Sequence, residues 1–238
     1  MPNPTAAMLV IGDEILSGRT RDANMYHLAG RLSEMGIDLR EVRVVSDSAE
    51  DIVAALDALR GRYENVFTSG GIGPTHDDIT ADCVAQAFGV GIDVRADARA
   101  VLASNYPEGE AALNPARLRM ARIPDGATLI DNPVSKAPGF TMGNVHVMAG
   151  VPNVFNAMVE SVLPTLTGGA PLMSESVRID RGESDVAEAL GVIDGRYPEV
   201  AIGSYPFQRD GRYGTNIVLR SGDRGALDAA ANDVRALI

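Results

Sequence analysis

The stretch SGGIGPTHDDIT, residues 69–80, holds the densest set of residue types that could do chemistry. It follows an apolar segment, so its glycines are expected on a loop behind a strand. Glycines let a backbone turn tightly and bring its N–H groups close to an anion. A helix expected to start near Asp78 would add the positive end of its dipole. The loop can therefore hold phosphate without a lysine, although it is neither a Walker A loop nor a GxGxxG loop.

Two adjacent carboxylates, Asp77 and Asp78, follow these glycines. Carboxylates repel phosphate, but one or two of them can hold a divalent cation such as Mg²⁺ that bridges to phosphate oxygens. A purely structural interpretation stays open beside this one. Acids stabilise the first turn of a helix without any ligand, and Thr75 with Asp78 makes a passable capping pair.

Polar residues also follow the other expected strands. Ligands of open α/β sheets bind at the carboxyl ends of the strands, so these residues could form one rim, although each alone is typical of a turn or a cap. The set is Gly12, Asp13 and Glu14, then Ser46 and Asp47, then Gly150, Pro152 and Asn153. The loop NPVSKAPGF, residues 132–140, adds Lys136, a cation that could offset phosphate charge.

Other catalytic chemistry has little support in the sequence. His27 falls on an expected helix, His146 on an expected strand and His76 in the loop, which is no zinc-binding spacing. Ser69 lacks a nucleophile elbow, and Cys83 lies within a helix without a catalytic partner. As the single cysteine, Cys83 cannot form an internal disulfide, which fits a reducing cytoplasm.

The formal net charge of −11 argues against nucleic acid and anionic membranes as partners. Arg117, Arg119 and Arg122 alternate with apolar residues and are expected on one face of a helix rather than in a basic patch. The apolar runs are too short to span a bilayer, and the first residues do not form a secretory signal. We therefore expect a cytoplasmic protein without a membrane partner.

Strands and helices alternate along the first part of the chain, which predicts an α/β fold with parallel strands. Strands are expected at 6–11, 37–45, 65–68, 127–130 and 145–148, and helices at 22–35, 49–59, 81–88 and 154–162. Residues 92–122 are expected to be mostly helical, with breaks at Pro107 and Pro115.

The segment LTGGAP, residues 166–171, is rich in turn residues, carries no charge and marks the expected boundary. Beyond it the pattern is β-α-β-β-α, with strands at 176–179, 200–204 and 216–220 and helices at 184–191 and 226–238. We therefore expect one domain over residues 1–168 and a small α+β subdomain over residues 172–238.

Four motifs in order resemble the molybdopterin-binding (MoCF) fold family: IGDEILSG (11–18), SGGIGPTHDDIT, NPVSKAPGF and MAGVPN (148–153). Within it, GGxGPTxDDxT resembles the branch of competence/damage-inducible protein A. Residues 197–220 are similar to the small domain that follows there and to the molybdopterin-binding-like domain of FAD synthases. The resemblance covers essentially the whole chain. It implies a three-layer α/β/α domain with a mostly parallel sheet and a homo-oligomer, a dimer with a trimer as the alternative.

The resemblance also implies site residues. It places the family's glycine-rich loop on Ser69, Gly70, Gly71 and Gly73, its key acid on Asp78 and an extra acid on Asp77. The acid after the second strand is Asp47, and the GDE element gives Asp13 and Glu14. The remaining candidates for ligand contact are Gly12, Thr75, Ser135, Pro138, Gly139, Gly150, Pro152 and Asn153.

The branch implies metal-dependent cleavage of a nucleotide diphosphate such as ADP-ribose or FAD. Asp77 and Asp78 would hold Mg²⁺, or Mn²⁺ or Co²⁺, and Lys136 would stabilise the leaving phosphate. Asp13, Glu14 or Asp47 would position the metal or the attacking water.

Two alternatives stay open. One is a molybdopterin-binding protein or adenylyltransferase of molybdenum cofactor biosynthesis. The other is a nucleotide- or pterin-binding module without catalysis. The printed chain ends before the amidohydrolase domain that longer members carry, so we do not expect that activity here.

Overall fold

The computed structural model describes residues 2–209 and 211–238. The chain divides into two compact units, Met1–Gly169 and Ala170–Ile238. None of the described helices is long and apolar enough to cross a membrane.

The first unit alternates strands with helices. Its elements are β1 (Thr5–Ile11), α1 (Asp13–Leu16), α2 (Asn24–Glu34), β2 (Asp38–Val45), α3 (Ala49–Arg60), β3 (Asn65–Ser69), α4 (Thr80–Phe88), β4 (Ile92–Val94), α5 (Ala96–Ala103), α6 (Pro115–Arg119), β5 (Arg122–Pro124), β6 (Thr128–Ile130), β7 (Gly139–Met142), β8 (Val145–Met148) and α7 (Pro152–Val162). Short 3-10 turns lie at Gly109–Ala112 and Leu163–Thr165.

Six strands form the main sheet of this unit in the order β2-β1-β3-β8-β7-β6. Strands β2, β1, β3 and β8 are mutually parallel, and β7 runs antiparallel to both of its neighbours. All strands but β7 therefore point the same way, so their carboxyl ends meet at one edge. Strands β4 and β5 form a separate antiparallel pair.

The apolar run of β1 explains why the sheet has helices on both faces. Successive side chains of a strand point to opposite faces, and an uninterrupted apolar strand needs both faces covered. Ala7, Leu9 and Ile11 pack in one buried core with α3, α4 and α5. Ala6, Met8 and Val10 pack in a second core with α2 and α7. The expected three-layer α/β/α arrangement is confirmed.

The second unit has the element order β9 (Met173–Ile179), α8 (Glu183–Arg196), β10 (Ala201–Arg209), β11 (Arg212–Ser221) and α9 (Arg224–Arg235). Its strands form an antiparallel sheet in the order β10-β11-β9. Apolar residues of α8 and α9 pack with Val177, Ile217 and Leu219 in one core. The expected small α+β subdomain is confirmed.

Most of residues 92–122 are helical, as expected, in α5, α6 and the 3-10 turn between them, although β4 and β5 border this segment and pair with each other. Three local expectations were wrong. Arg122 opens β5 and binds Asp82 at 2.6 Å instead of sharing a helix face with Arg119. The loop 132–140 ends in β7, since Phe140 is buried in the core. Helix α4 begins at Thr80, so Asp77 and Asp78 precede it.

Candidate functional site

A cleft of about 540 Å³ lies where the parallel strands end, lined by the loops that follow β1, β2, β3, β6 and β8. Chain segments far apart in sequence meet there because parallel strands present their carboxyl ends at one edge. Many of the residues singled out in the sequence line it: Gly12, Glu14, Asp47, Gly70, Gly71, Gly73, Asp77, Asp78, Ser135, Gly150 and Pro152.

The other candidate residues do not line this cleft. Ser69 borders a smaller recess beside it, and Pro138 borders a small cavity behind the glycine-rich loop. Gly139 opens β7, where a side chain would collide with the carbonyl oxygen of Val147. Four candidates are left: Asp13, Thr75, Lys136 and the exposed Asn153. The N–H of Asp13 donates to the Asp47 carboxylate, and the hydroxyl of Thr75 donates to the Asp78 carboxylate.

Close packing of the loop after β3 explains its glycines. Gly70 has a φ of +108° and Gly71 a φ of +68°. A Cβ at Gly70 would collide with the carbonyl oxygen of Ile11, and one at Gly71 would collide with the hydroxyl of Thr80. Thr80 fastens the loop, because its hydroxyl donates to the Gly70 carbonyl at 3.0 Å and its N–H donates to the Gly71 carbonyl at 2.9 Å.

The same loop determines which backbone donors a ligand could use. The N–H of Gly70 already donates to the carbonyl of Met148 at 3.2 Å. Among the described residues, no acceptor takes the N–H groups of Gly71, Ile72 or Gly73. Three successive N–H groups at the cleft are the backbone arrangement that binds an anion.

Asp78 closes a turn in front of α4. The N–H and the hydroxyl of Thr75 donate to its Oδ2 at 2.8 and 2.5 Å, which leaves Oδ1 outside the turn. A Cβ at Gly73 would lie 2.6 Å from Oδ2, so a larger residue there would displace the Asp78 carboxylate. The expected Thr75–Asp78 contact therefore exists, but as a loop turn rather than as a helix cap, since α4 starts at Thr80.

Carboxylates from three loops lie close enough to influence one another at Asp47. Burial raises the pKa of Asp47, the negative charges of Asp13, Glu14 and Asp77 raise it further, and the N–H of Asp13, which donates to Oδ2 at 2.9 Å, opposes these effects. The cleft thus concentrates negative charge beside a loop suited to an anion. A divalent cation between the carboxylates and a bound anion would offset the repulsion between them.

The carboxylates fit such a cation in one particular way. Within residues 2–209 and 211–238, no three His, Cys, Asp or Glu side chains are placed to hold a metal ion by themselves. Mg²⁺ is commonly bound by one or two carboxylates with the rest of its shell from water and phosphate oxygens. The oxygen donors of Asp77 and Asp78 suit that mode, in which the ligand brings part of the shell.

Lys136 is the single lysine among the 21 lysine and arginine residues of the chain. It has a φ of +58°, the only positive φ of a non-glycine residue in the described part of the chain. The buried side chain of Asn132 shapes this loop by donating to the Ser135 hydroxyl at 2.7 Å and to the Ala137 carbonyl at 2.8 Å. Ser135 and Ala137 line the cleft, whereas Lys136 does not.

Two residues near the cleft escaped the sequence reasoning. Asn24, at the start of α2, donates from Nδ2 to the Ser69 hydroxyl at 2.8 Å and to the Gly150 carbonyl at 2.7 Å. Arg119 donates to the carbonyl of Asp78 at 3.0 Å. Local sequence could not have revealed either one. Asn24 looks like an ordinary residue at the start of a helix, and Arg119 lies 41 positions from Asp78, too far for any local pattern to indicate the contact.

The histidines and the cysteine offer no catalytic group in this cleft. His146 is buried in β8, its Nδ1 lies 3.0 Å from the Thr141 hydroxyl, and burial lowers its pKa to about 4. Burial raises the pKa of the Cys83 thiol to about 11, which keeps it protonated near neutral pH.

Fold and cleft together define an α/β domain whose candidate site combines a glycine-rich loop that has free N–H groups with acidic residues. Residues 7–168 match the family described as "Probable molybdopterin binding domain", and residues 171–238 match "FAD synthase, middle domain". The chain belongs to the molybdopterin-binding domain family, and the resemblance noted in the sequence is confirmed.

Similar proteins agree with this assignment. A CinA-like protein of Geobacter sp. (strain M21) is 37% identical over 201 residues, covering 81% of this chain and 48% of that protein. A probable FAD synthase of Caenorhabditis elegans is 30% identical over 259 residues, covering 98% of this chain and 50% of that protein. The chain thus spans about half the length of these relatives.

A solved structure supports the fold of the first unit. CinA of Thermoplasma acidophilum, described as a protein with unknown function, superimposes with a TM-score of 0.63 at 33% identity. The match covers 68% of this chain and 97% of that one.

Proposed function

We propose that the chain is a metal-dependent hydrolase that cleaves the diphosphate of a dinucleotide of the ADP-ribose or FAD type. The observation that carries this proposal is the shared cleft, in which the free N–H groups of Gly71 to Gly73 lie beside the carboxylates of Asp47, Asp77 and Asp78. A diphosphate needs the donors, and a divalent cation needs the acids. A ligand that carries both a diphosphate and a bound metal would pair with the N–H donors and with the carboxylates at the same time.

Asp77 and Asp78 are the proposed metal ligands. Asp77 is exposed at the cleft, and Asp78 has Oδ1 outside its turn with Thr75. A bound Mg²⁺, Mn²⁺ or Co²⁺ ion would supply neutralisation of the charge that develops at phosphorus. The turn with Thr75 and the contact from Arg119 hold Asp78 in place, so that little rearrangement accompanies binding.

The proposed reaction adds one water across the diphosphate. The water oxygen bonds to one phosphorus, the bond from that phosphorus to the bridging oxygen breaks, and the bridging oxygen leaves with the second phosphate. Asp47 would take the proton from the water, since its raised pKa makes it a better base than an ordinary aspartate. Cleavage of ADP-ribose in this way yields AMP and ribose 5-phosphate.

Lys136 has a supporting place in this proposal. It is the cation of a loop whose Ser135 and Ala137 line the cleft, and neutralising the leaving phosphate is the role its charge allows. The N–H groups of Gly71 to Gly73 would bind the diphosphate itself.

The test is release of AMP from ADP-ribose, FAD and NAD, followed by chromatography with and without Mg²⁺, Mn²⁺ or Co²⁺. We expect AMP only when metal is present, and a loss of at least about a hundredfold in Asp77→Asn and Asp78→Asn. Glu50→Gln removes one exposed carboxylate from α3, outside the cleft lining, and is the matched control. Turnover that persists in Asp78→Asn would contradict the assignment.

A second function is favoured by one specific observation. The family matched over residues 7–168 is described as molybdopterin-binding, and a pterin phosphate would suit the same cleft. This alternative, a molybdopterin-binding protein or adenylyltransferase, predicts tight binding of molybdopterin and no release of AMP by water. Thermal stabilisation by a nucleotide without any AMP release would instead indicate a binding module.

A further inference from the structure

A recess of about 60 Å³ adjoins the main cleft and has no role in the reaction described above. The two share the lining residues Ile11, Glu14, Thr20, Gly150 and Pro152. The remaining lining residues are Val10, Ile15, Arg21, Asp22, Ala23, Asn24 and Ser69. Of these, Asn24 and Ser69 are the buried polar residues, with exposed fractions of 3% and 2%. Buried polar groups are normally hydrogen-bonded, so their contacts show what this recess can bind.

The amide of Asn24 has an unused acceptor. Both protons of Nδ2 are engaged, one by the Ser69 hydroxyl at 2.8 Å and one by the Gly150 carbonyl at 2.7 Å. Because a carbonyl oxygen can only accept, the nitrogen must face Gly150, which fixes the orientation of the amide. The oxygen Oδ1 is buried and accepts no hydrogen bond from residues 2–209 or 211–238.

The hydroxyl of Ser69 has an unused donor. Its oxygen accepts from Asn24, so its own proton must point elsewhere. No acceptor in the described part of the chain takes that proton. Asn24 and Ser69 therefore offer one acceptor and one donor within a space equal to about two water molecules.

We propose that this recess binds a single sugar hydroxyl of the nucleotide, an inference that rests on the proposed function. A hydroxyl donates one hydrogen bond and accepts another, so it matches Asn24 Oδ1 and the Ser69 hydroxyl together. A phosphate oxygen only accepts, and it would face the Asn24 carbonyl oxygen and the carboxylates of Glu14 and Asp22, which outweigh the exposed cation of Arg21 in the same lining. The volume excludes a purine ring. Ser69 thus acts on the sugar and not on the diphosphate.

The recess would also explain substrate choice. A site that hydrogen-bonds a hydroxyl discriminates strongly against an analogue that lacks it, because the buried partners are then left unpaired. Asn24 hydrogen-bonds to Ser69 at the end of β3 and to Gly150 after β8. A ligand in the recess would therefore contact the two loops that also line the main cleft.

The experiment compares ADP-ribose with analogues that each lack one ribose hydroxyl. All ligands carry a methylene group in place of the bridging oxygen of the diphosphate, so that they cannot be cleaved, and affinities are measured by calorimetry with Mg²⁺ present. For the unmodified protein we expect one analogue to bind at least about tenfold more weakly than ADP-ribose. In Ser69→Ala that analogue and ADP-ribose should bind within about twofold of each other, and Ser69→Cys, which keeps the volume but is a weaker donor, should behave similarly.

Ser135→Ala is the matched control, because Ser135 lines the main cleft but not the recess. Its affinity for ADP-ribose can change, but the ratio between the analogue and ADP-ribose should not. Equal binding of every analogue by the unmodified protein would overturn the proposal. So would discrimination that survives in Ser69→Ala and Ser69→Cys, or that is lost equally in Ser135→Ala.

The binding measurement separates this inference from the proposed function. If AMP is released but all analogues bind equally, the hydrolase proposal stands and the proposal that the recess binds a hydroxyl is rejected. Discrimination without AMP release supports the recess and rejects the hydrolase. Failure of ADP-ribose to bind at millimolar concentration rejects both.

Discussion

Arg119 donates a hydrogen bond from Nη2 to the carbonyl oxygen of Asp78 at 3.0 Å. The two residues lie 41 positions apart, and the contact joins α6 to the loop that carries the acids. The Nε of Arg119 is buried and has no acceptor among residues 2–209 and 211–238. A cation held this way beside the glycine-rich loop offsets part of the negative charge of the cleft.

Arg119→Met should weaken the site more than the fold. Loss of the contact to Asp78 frees the loop, so we expect metal-dependent affinity for ADP-ribose to fall about tenfold. Stability should fall by only about 1 kcal/mol. Calorimetry and urea denaturation measure the two effects. Arg40→Met is the control, since Arg40 is exposed and lies 3.5 Å from Asp38. Unchanged affinity in Arg119→Met would show that the contact is incidental.

Asp47→Asn should stabilise the protein without ligand at neutral pH. The pKa of Asp47 is raised, first by burial and then by Asp13, Glu14 and Asp77, so its ionised form opposes folding. The unfolded chain loses this proton at about pH 4 and the folded chain only at a higher pH, so the penalty develops as pH rises through that window.

The melting temperature measured against pH checks this prediction. The advantage of Asp47→Asn should be present at pH 7 and vanish below about pH 4, where the carboxyl is protonated in both states. Added Mg²⁺ should reduce the difference by stabilising the unmodified protein more. Glu50→Gln provides the comparison, and an advantage of Asp47→Asn that persists at low pH would rule out the electrostatic explanation.

Gly71→Ala should destabilise the first unit by about 2 kcal/mol or more. The φ of +68° is unfavourable for alanine, and the added Cβ would collide with the Thr80 hydroxyl that fastens the loop. Chemical denaturation measures the change. Gly30→Ala is a matched control of opposite sign, because Gly30 lies within α2 with nothing near its Cβ position. That variant should gain about 0.5–1 kcal/mol.

His146 should make the protein less stable as pH falls. Burial lowers its pKa to about 4, whereas the unfolded chain takes up the proton near pH 6.5. Between these values the unfolded state binds more protons, so stability rises with pH across the window.

Urea denaturation at pH 5 and pH 6.5 tests this. On going from pH 6.5 to pH 5, the unmodified protein should lose about 1.6 kcal/mol more of its free energy of unfolding than His146→Gln. Gln retains a hydrogen-bonding side chain toward Thr141 but cannot titrate. Equal losses in the two proteins would show that His146 does not control this part of the profile.

Local patterns predicted most of the fold. The apolar run of β1, the amphipathic α2 and the punctuating glycines each report conformation within a few residues, so most expected elements of both units occur close to their expected bounds. The errors lie where tertiary contacts prevail over local composition. Phe140 turns the end of a Pro- and Gly-containing loop into a strand by packing in the core, and Arg122 joins a strand that faces Asp82.

The lining of the candidate cleft could also be predicted in large part from the amino-acid order, because the motifs follow strand ends and parallel strands bring those ends to one edge. Only the tertiary structure shows which donors and acceptors of the cleft are already paired within the protein and which can bind a ligand. The Gly70 N–H is taken by Met148, Asp78 Oδ2 by Thr75, and the amide of Asn24 by groups 45 and 126 residues away. Periodicity and turn chemistry describe neighbours along the chain, whereas the availability of a donor or acceptor depends on whatever the folded chain places within 3 Å of it.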